Sequence, residues 1–174
     1  MKALVLILLL VVLAAAGCDS GESNGAPSTP QDGKAKTEPE TSDPMLALQR
    51  AVRAAVLENN ELSRYVLWHN RVPASAQRST RGRALAGLRK SAADRRAGQL
   101  RVRTLNVDVV VGDIQLDPSY TRATASVRQR GRVRLFRNGR RLRRPIALDE
   151  RNRFHLRRVG DETRFVVWEV EPRR

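Results

Sequence analysis

Asn138-Gly139 lies between two long segments in which apolar and polar residues alternate, and this feature restricts the fold more than any other. The dipeptide favours a two-residue type I′ turn, because both central residues of that turn need positive φ. Such a loop predicts a long antiparallel hairpin with Arg137 opposite Arg140 and Arg128 opposite Asp149. An apolar face and a polar face then follow from strand alternation.

The polar face of this predicted hairpin is rich in arginine. Residues 45–174 contain 30 Lys and Arg against 12 Asp and Glu, and 29 of the 33 basic residues in the chain are Arg. A fixed positive field of this kind attracts polyanions and anionic surfaces. A solvated face shaped by a GC-rich genome is the alternative. The candidate polyanion-binding residues are Arg128, Arg130, Arg132, Arg134, Arg143, Arg151 and Arg153.

Helical patterns precede the strands. Asp43-Pro44 is a typical helix start, with an N-cap followed by proline in the first turn. The apolar spacing that follows predicts either one helix or two helices, Met45–Glu58 and Glu61–His69, separated at Asn59-Asn60. A further helical pattern covers about Ser75 to Ala97.

From Leu100 onward the apolar period changes to two, which indicates a β-strand. The apolar parity switches at Gly112, where we expect a β-bulge. Asp117-Pro118-Ser119 predicts a turn into the hairpin. Phe165–Val170 forms the last predicted strand.

This order of elements predicts an α+β fold with N-terminal helices packed on a bent antiparallel β-meander. The leading helices, the bulged strand, the Asn138-Gly139 hairpin and the Trp168 strand resemble the NTF2-like cone fold, also called SnoaL-like, over roughly residues 45–170. Another helix-plus-meander fold, such as a cystatin-like one, is the alternative. The NTF2-like resemblance implies a cone that encloses a pocket in some relatives, where it serves isomerase or dehydratase chemistry.

The N-terminus has the pattern of a secretory signal peptide, with Lys2 followed by an apolar run and small residues. Ala15-Ala16-Gly17-Cys18 resembles the lipobox of bacterial lipoproteins, although Ala15 stands where that family prefers Leu. The resemblance implies cleavage between Gly17 and Cys18 and diacylglycerol on the Cys18 thiol. The apolar run is shorter than the roughly 20 residues of a membrane span. A plain secreted protein is the other alternative.

Residues 18–44 carry two Lys against six acidic residues and are rich in Ser, Gly, Pro and Thr. Such a segment cannot offset its ordering entropy by burial, so it predicts a disordered tether with a root-mean-square span of about 25–30 Å. The predicted organisation is a signal peptide (1–17), a tether (18–44) and an NTF2-like domain (45–174).

The candidate pocket residues are Glu150, Asn152 and Trp168. The first two fall at the apolar parity of their strand, where polar groups in a cone could orient a ligand. A wet end of the sheet is the alternative. His69 and His155 have no sequence-local metal partner, and no phosphate loop or nucleophile elbow is present. The sequence therefore predicts no catalytic residue, no metal and no cofactor.

The favoured function is a lipid-anchored protein on the extracytoplasmic face of the cell membrane, with a non-catalytic binding or scaffolding domain. Its expected partners are anionic lipid, a cell-wall polyanion or an acidic protein, and the compartment disfavours nucleic acid. A small-molecule binder or isomerase-like enzyme using the cone pocket is the alternative.

Overall fold

The computed structural model describes residues 43–142, 144–160 and 162–173 of the 174-residue chain. The predicted signal peptide with Gly17, the lipidation site Cys18, the predicted tether up to residue 42, and Arg143 lie outside the described residues. Within the described ranges, no helix has an apolar segment long enough to cross a membrane.

Helix α1 spans Pro44–His69 without interruption. Asp43 caps it as predicted, since its carboxylate accepts a hydrogen bond from a first-turn backbone N–H at 2.9 Å. The two-helix alternative is wrong. Asn59 and Asn60 are fully buried, and the side chain of each makes a hydrogen bond to a residue outside the helix.

The second helical region is shorter than its sequence pattern indicates. Ala74–Arg78 forms a 3-10 helix, and helix α2 spans Gly82–Ala97. Between them Thr80 forms a parallel β-bridge with Val167, so the chain leaves the helical conformation to pair with the last strand. Gly98 follows α2 directly, as predicted.

One antiparallel sheet contains five strands, in the order β1-β2-β4-β5, with β3 paired to β2. The predicted meander is confirmed, and β3 is a short additional strand beyond the hairpin turn. The strands are β1 (Leu100–Leu116), β2 (Arg122–Arg137), β3 (Arg140–Arg141), β4 (Ile146–Arg158) and β5 (Phe165–Arg173).

The turn between β2 and β3 has the predicted conformation. Asn138 has a φ of 52° and Gly139 a φ of 74°, which are the positive values that a type I′ turn needs. Beside the turn, the Leu142 N–H donates to the Leu135 carbonyl at 2.9 Å, as the predicted register requires.

The register of β2 against β4 differs from the prediction by two residues. Val127 lies opposite Asn152 rather than Glu150. The cause is the break between β3 and β4, where Pro145 has no N–H to give to the ladder. A shift of two leaves every side chain on its predicted face, because side chains alternate with a period of two.

Irregular pairing bends the sheet. The β1–β2 register shifts between Thr104 and Val107 and again between Val111 and Ile114, and the second shift confirms the bulge predicted at Gly112. Each bulge adds twist. The sheet therefore curves around the helices in a cone-like arrangement, and the predicted α+β class is confirmed.

Helix α1 runs antiparallel to β1. At its C-terminal end the Asn70 side-chain amide donates to the Leu100 carbonyl at 2.8 Å, at the start of β1. Near its N-terminal end Leu48 packs in one core cluster with Ala123 and Phe165, which begin β2 and β5. Asp43 therefore lies at the end of the domain that carries the β1–β2 and β4–β5 turns.

The inward positions of β2 and β4 form the main core with α1. These positions are odd-numbered in β2 and even-numbered in β4, and most of their side chains are buried, whereas Ile146 at the start of β4 is exposed. The most buried members of this core are Val52, Val56, Ala125, Val127, Phe154 and Leu156.

Candidate functional site

The outward positions of β2 and β4 carry a set of arginines, called here the arginine face. Their neighbours in sequence are the buried core residues, so alternation places these arginines on the opposite side of the sheet. The arginine face consists of Arg122, Arg128, Arg130, Arg132, Arg134, Arg151, Arg153 and Arg157.

Asp149 neutralises part of this face. Arg128 binds it with two parallel hydrogen bonds of 3.0 Å, and Arg130 approaches within 3.3 Å. The hydrogen bonds from Arg128 are the main reason that the pKa of Asp149 is lowered, and Arg130 adds to the effect. A carboxylate with a lowered pKa stabilises the fold at neutral pH, and acid removes that contribution. The predicted contact of Arg128 with Asp149 is present, on a diagonal rather than directly opposite.

The neighbouring strands supply further acidic residues, which the hairpin sequence alone does not reveal. Asp108 of β1 lies opposite Arg130, and Glu171 of β5 lies opposite Arg153. The Glu171 carboxylate is also 3.1 Å from the His155 imidazole. The arginine face is thus less positive at its margins than its own two strands indicate.

The centre of the face keeps a row of directly opposed arginines whose charge is only partly compensated. Arg128 lies directly opposite Arg151, and Arg151 lies directly opposite Arg173. Like charges in directly opposed positions destabilise a sheet. Among the residues that the structure describes, Asp149 is ion-paired with Arg128, and no ion pair involves Arg151 or Arg173. This row is the strongest candidate anion-binding feature of the domain.

The remaining predicted arginines differ in exposure. Arg132 and Arg153 are exposed, whereas Arg134 is half-buried and its Nε is buried without a hydrogen-bond partner. A surface that binds a polyanion needs guanidinium groups that reach solvent. Arg132, Arg151 and Arg153 meet that requirement, and Arg134 contributes less.

On the other side of the sheet, four buried amides form what we call the carboxamide cluster: Asn59, Asn60, Gln129 and Asn152. Asn60 accepts a hydrogen bond from the Gln129 amide at 2.9 Å, and Asn59 donates to the Thr80 hydroxyl at 2.7 Å. Asn152 is inward-facing and lies two pairing positions from Gln129, on the same face of the sheet. The cluster joins α1 to the sheet in the middle of the core.

Part of this cluster lacks hydrogen bonds. The Asn59 Oδ1, Asn60 Nδ2 and Asn152 Nδ2 atoms are buried without a partner among the described residues. An unsatisfied buried polar group costs roughly 1–3 kcal/mol. The interior is therefore polar at one level, while apolar side chains fill the levels on either side of it.

The structure does not bring the three predicted pocket residues together. Asn152 is 3% exposed inside the core, and the half-buried Glu150 lies opposite Gln129. Trp168 lies beside His155 and Leu156, three to four residues after Asn152 along β4, where the β4–β5 pairing is irregular. Its indole lies against Gly82 on one side, and the Arg157 guanidinium is 3.9 Å from its ring centroid. The Trp168 ring is occupied by protein contacts.

Sequence reasoning missed Asn60 and Gln129 as partners. The signal was present, because Gln129 occupies an inward position between the apolar Val127 and Val133. Asn60 follows Val56 by four residues, at the spacing of the buried helix face. A neutral amide at a core position on each of two elements is the pattern that predicts such a pair.

The histidines do not form a metal centre. Across residues 43–142, 144–160 and 162–173, no three His, Cys, Asp or Glu side chains gather as metal ligands would. His69 stacks on Tyr65 with ring centroids 4.2 Å apart, and His155 faces Glu171.

Comparison with known proteins identifies similar folds only. No family model matches the chain, and no curated protein matches it. The intermembrane space region of chloroplast protein ARC6 is similar with a TM-score of 0.59 and 12% identity, over 71% of this chain and 94% of that one. A 2.5 Å structure from Catenulispora acidiphila has a TM-score of 0.40 and 18% identity, over 71% and 93%. The ARC6 likeness supports the α+β fold alone.

Proposed function

We propose that this chain is a lipoprotein anchored through Cys18 to the extracytoplasmic face of the cell membrane, with an NTF2-like domain that binds without catalysis. The observation that carries the proposal is the row of directly opposed arginines on the outer side of the sheet. The lipobox resemblance supports the location, and the positive row supports a binding role.

The favoured partner of the arginine face is a linear polyanion of the cell envelope. Arg151 and Arg173 lie directly opposite each other beside the ion-paired Arg128, so their guanidinium groups repel each other, and a bound anion relieves that repulsion. Strand β2 has 16 residues and extends about 50 Å at the usual rise of a strand. A chain of regularly spaced phosphates or carboxylates can therefore contact several arginines at once, which multiplies weak contacts.

We expect that replacing Arg132, Arg151 and Arg153 together with Gln lowers the affinity of the full chain for long-chain polyphosphate by about tenfold or more, and reduces its salt dependence. Fewer counterions leave the polyanion when fewer arginines contact it, so the slope of affinity against salt concentration becomes shallower. The measurement is fluorescence anisotropy of labelled polyphosphate at low and physiological salt.

The matched control changes Arg50, Arg53 and Arg89 to Gln, which are exposed arginines of the two helices. It alters net charge equally, so equal losses in both variants would show attraction by net charge alone and contradict a specific face. Vesicles with anionic lipid and polyglutamate are run in parallel. If the change of Arg132, Arg151 and Arg153 weakened binding to the vesicles or to polyglutamate more than binding to polyphosphate, that ligand would replace the envelope polymer as the partner of this face.

Replacing Cys18 with Ser is expected to move the protein out of the membrane fraction or to leave the precursor uncleaved. Lipid attachment needs the Cys18 thiol. Stable membrane anchoring takes two binding signals, so a chain that lacks the lipid is expected to leave the membrane. Membrane fractionation and the mass of the mature chain measure the result. Unchanged processing and partitioning would exclude Cys18 as the anchor.

A small-molecule binding or isomerase-like role remains the second candidate, and the carboxamide cluster is the observation that favours it. Its buried amides present both donors and acceptors within the core. A small molecule that co-purifies with the wild-type chain and is absent from an Asn152→Leu variant in native mass spectrometry would favour this role. Its absence from both proteins would exclude it.

A further inference from the structure

The chain outside the structure joins the domain at one defined end. Asp43 caps α1, and α1 runs antiparallel to β1, so residue 43 lies beside the β1–β2 turn. The β4–β5 turn is at the same end, since the Arg158 N–H donates to the Thr121 carbonyl at 2.8 Å. We call this the tether end. The Asn138-Gly139 hairpin lies at the opposite end of the sheet.

The tether end exposes apolar side chains. Leu46 in the first turn of α1 is 49% exposed, and Tyr120 in the β1–β2 turn is 41% exposed. Of the large apolar residues that are exposed in the described part of the chain, Tyr120 is the aromatic one. Tyrosine is enriched where membranes meet water, because its ring is apolar and its hydroxyl is polar.

The turn that presents Tyr120 is fixed in a costly conformation. Tyr120 has a φ of 53°, which is unfavourable for a residue with a bulky side chain. Asp117 holds the turn by accepting hydrogen bonds from the backbone N–H groups of Thr121 and Arg122 at 2.8 and 2.9 Å. Such strain persists where surrounding contacts determine it, and it is typical of functional positions.

Two arginines flank the exposed tyrosine. Arg122, the first residue of β2, lies directly opposite Arg157, the penultimate residue of β4, and both are exposed. The Arg157 guanidinium lies over the Trp168 ring, and this cation–π contact restricts its position at the end of the sheet. Paired cations beside an aromatic and an aliphatic side chain match the chemistry of an anionic headgroup layer.

We propose that the tether end, formed by Leu46, Tyr120, Arg122 and Arg157, rests on the anionic lipid headgroups of the membrane that holds Cys18. This proposal rests on the lipid anchor of the proposed function. Arg122 and Arg157 then contact lipid, whereas the other members of the arginine face lie farther along the sheet and stay available to an envelope polymer. The domain has a preferred orientation rather than free rotation above the membrane.

The test places a nitroxide label at either end of the full lipidated chain, reconstituted in vesicles of phosphatidylglycerol and phosphatidylcholine. Thr163→Cys reports on the β4–β5 turn, and Arg140→Cys reports on the hairpin end; both positions are exposed. Relaxation by a headgroup-bound nickel chelate measures proximity to lipid. We expect severalfold stronger relaxation at position 163 than at position 140, and a smaller difference in pure phosphatidylcholine.

A second set of variants tests the named residues. Tyr120→Asn combined with Arg122→Gln is expected to remove most of the difference between the two labels, because Asn accepts the positive φ and preserves the turn. The matched control is Arg137→Gln with Arg141→Gln, two exposed arginines near the hairpin. Equal relaxation at both ends of a vesicle-bound chain would overturn the orientation alone. A chain that fails to float with the vesicles would overturn the anchor and the orientation together.

Discussion

Replacing Gly131 with Ala is expected to destabilise the domain by about 3 kcal/mol or more, the range of severe steric substitutions. Gly131 lies opposite Val107 where β1 carries an extra residue. A Cβ at this position would be 1.8 Å from the Asn106 carbonyl oxygen and 2.5 Å from the Val107 Cα. Both are backbone atoms of the adjacent strand, so neither can rotate away. The bulge must open, and ladder hydrogen bonds are lost with it.

Urea denaturation followed by circular dichroism measures this change through the midpoint and slope. Gly87→Ala is the matched control, because it lies in α2 and nothing is within 4 Å of its ideal Cβ. Alanine there should stabilise the protein by about 0.5–1 kcal/mol, through higher helix propensity. Equal midpoints for Gly131→Ala and wild type would show that β1 and β2 do not approach as closely as the structure places them.

The same bulge shows where sequence reasoning reaches its limit in this sheet. Periodicity located the parity switch near Gly112, because apolar residues change face there. The irregularity between Thr104 and Val107 was not predicted, although the apolar positions change there from even, at Leu100 and Val102, to odd, at Leu105 and Val107. A close backbone approach depends on the partner strand, and one strand's pattern does not contain that information.

The prediction of the β2–β4 register was wrong for a related reason. The turn geometry at Asn138-Gly139 is local, so the dipeptide alone determines it. Two residues leave the ladder between β3 and β4, and the turn dipeptide carries no information about that number. The assignment of side chains to the two faces of the sheet stayed correct, because it depends only on whether a residue number is odd or even. The arginine face was therefore predictable, whereas its direct opponents, such as Arg128 with Arg151, were not.

Helix continuity was decided by tertiary contacts. Asn59 and Asn60 have low helix propensity, and that favoured a break. Burial of both residues against Thr80 and Gln129 reverses the preference, because hydrogen bonds to other elements need the helical geometry on both sides of residue 60. Local propensity is a weak prior wherever a polar residue has a buried partner.

That partnership gives the second large effect expected in the domain. Replacing Gln129 with Leu should cost about 2–3 kcal/mol, since Asn60 then keeps a buried amide without its one observed side-chain hydrogen bond. Replacing Asn60 and Gln129 together with Leu should cost less than the sum of the two single changes by about 1 kcal/mol or more. When both residues are apolar, neither side of the Asn60–Gln129 hydrogen bond is left without its partner.

The double-mutant cycle is measured by urea denaturation, with Gln115→Leu as the control. Gln115 is exposed in β1, so its replacement should change the free energy of unfolding by no more than about 0.5 kcal/mol. A coupling near zero would show that the Gln129 amide and Asn60 do not act as a pair in solution. A strong coupling would show that the carboxamide cluster helps to hold α1 in register on the sheet. Because Asp43 caps α1, the position of α1 also determines the end of the domain at which residue 43 lies.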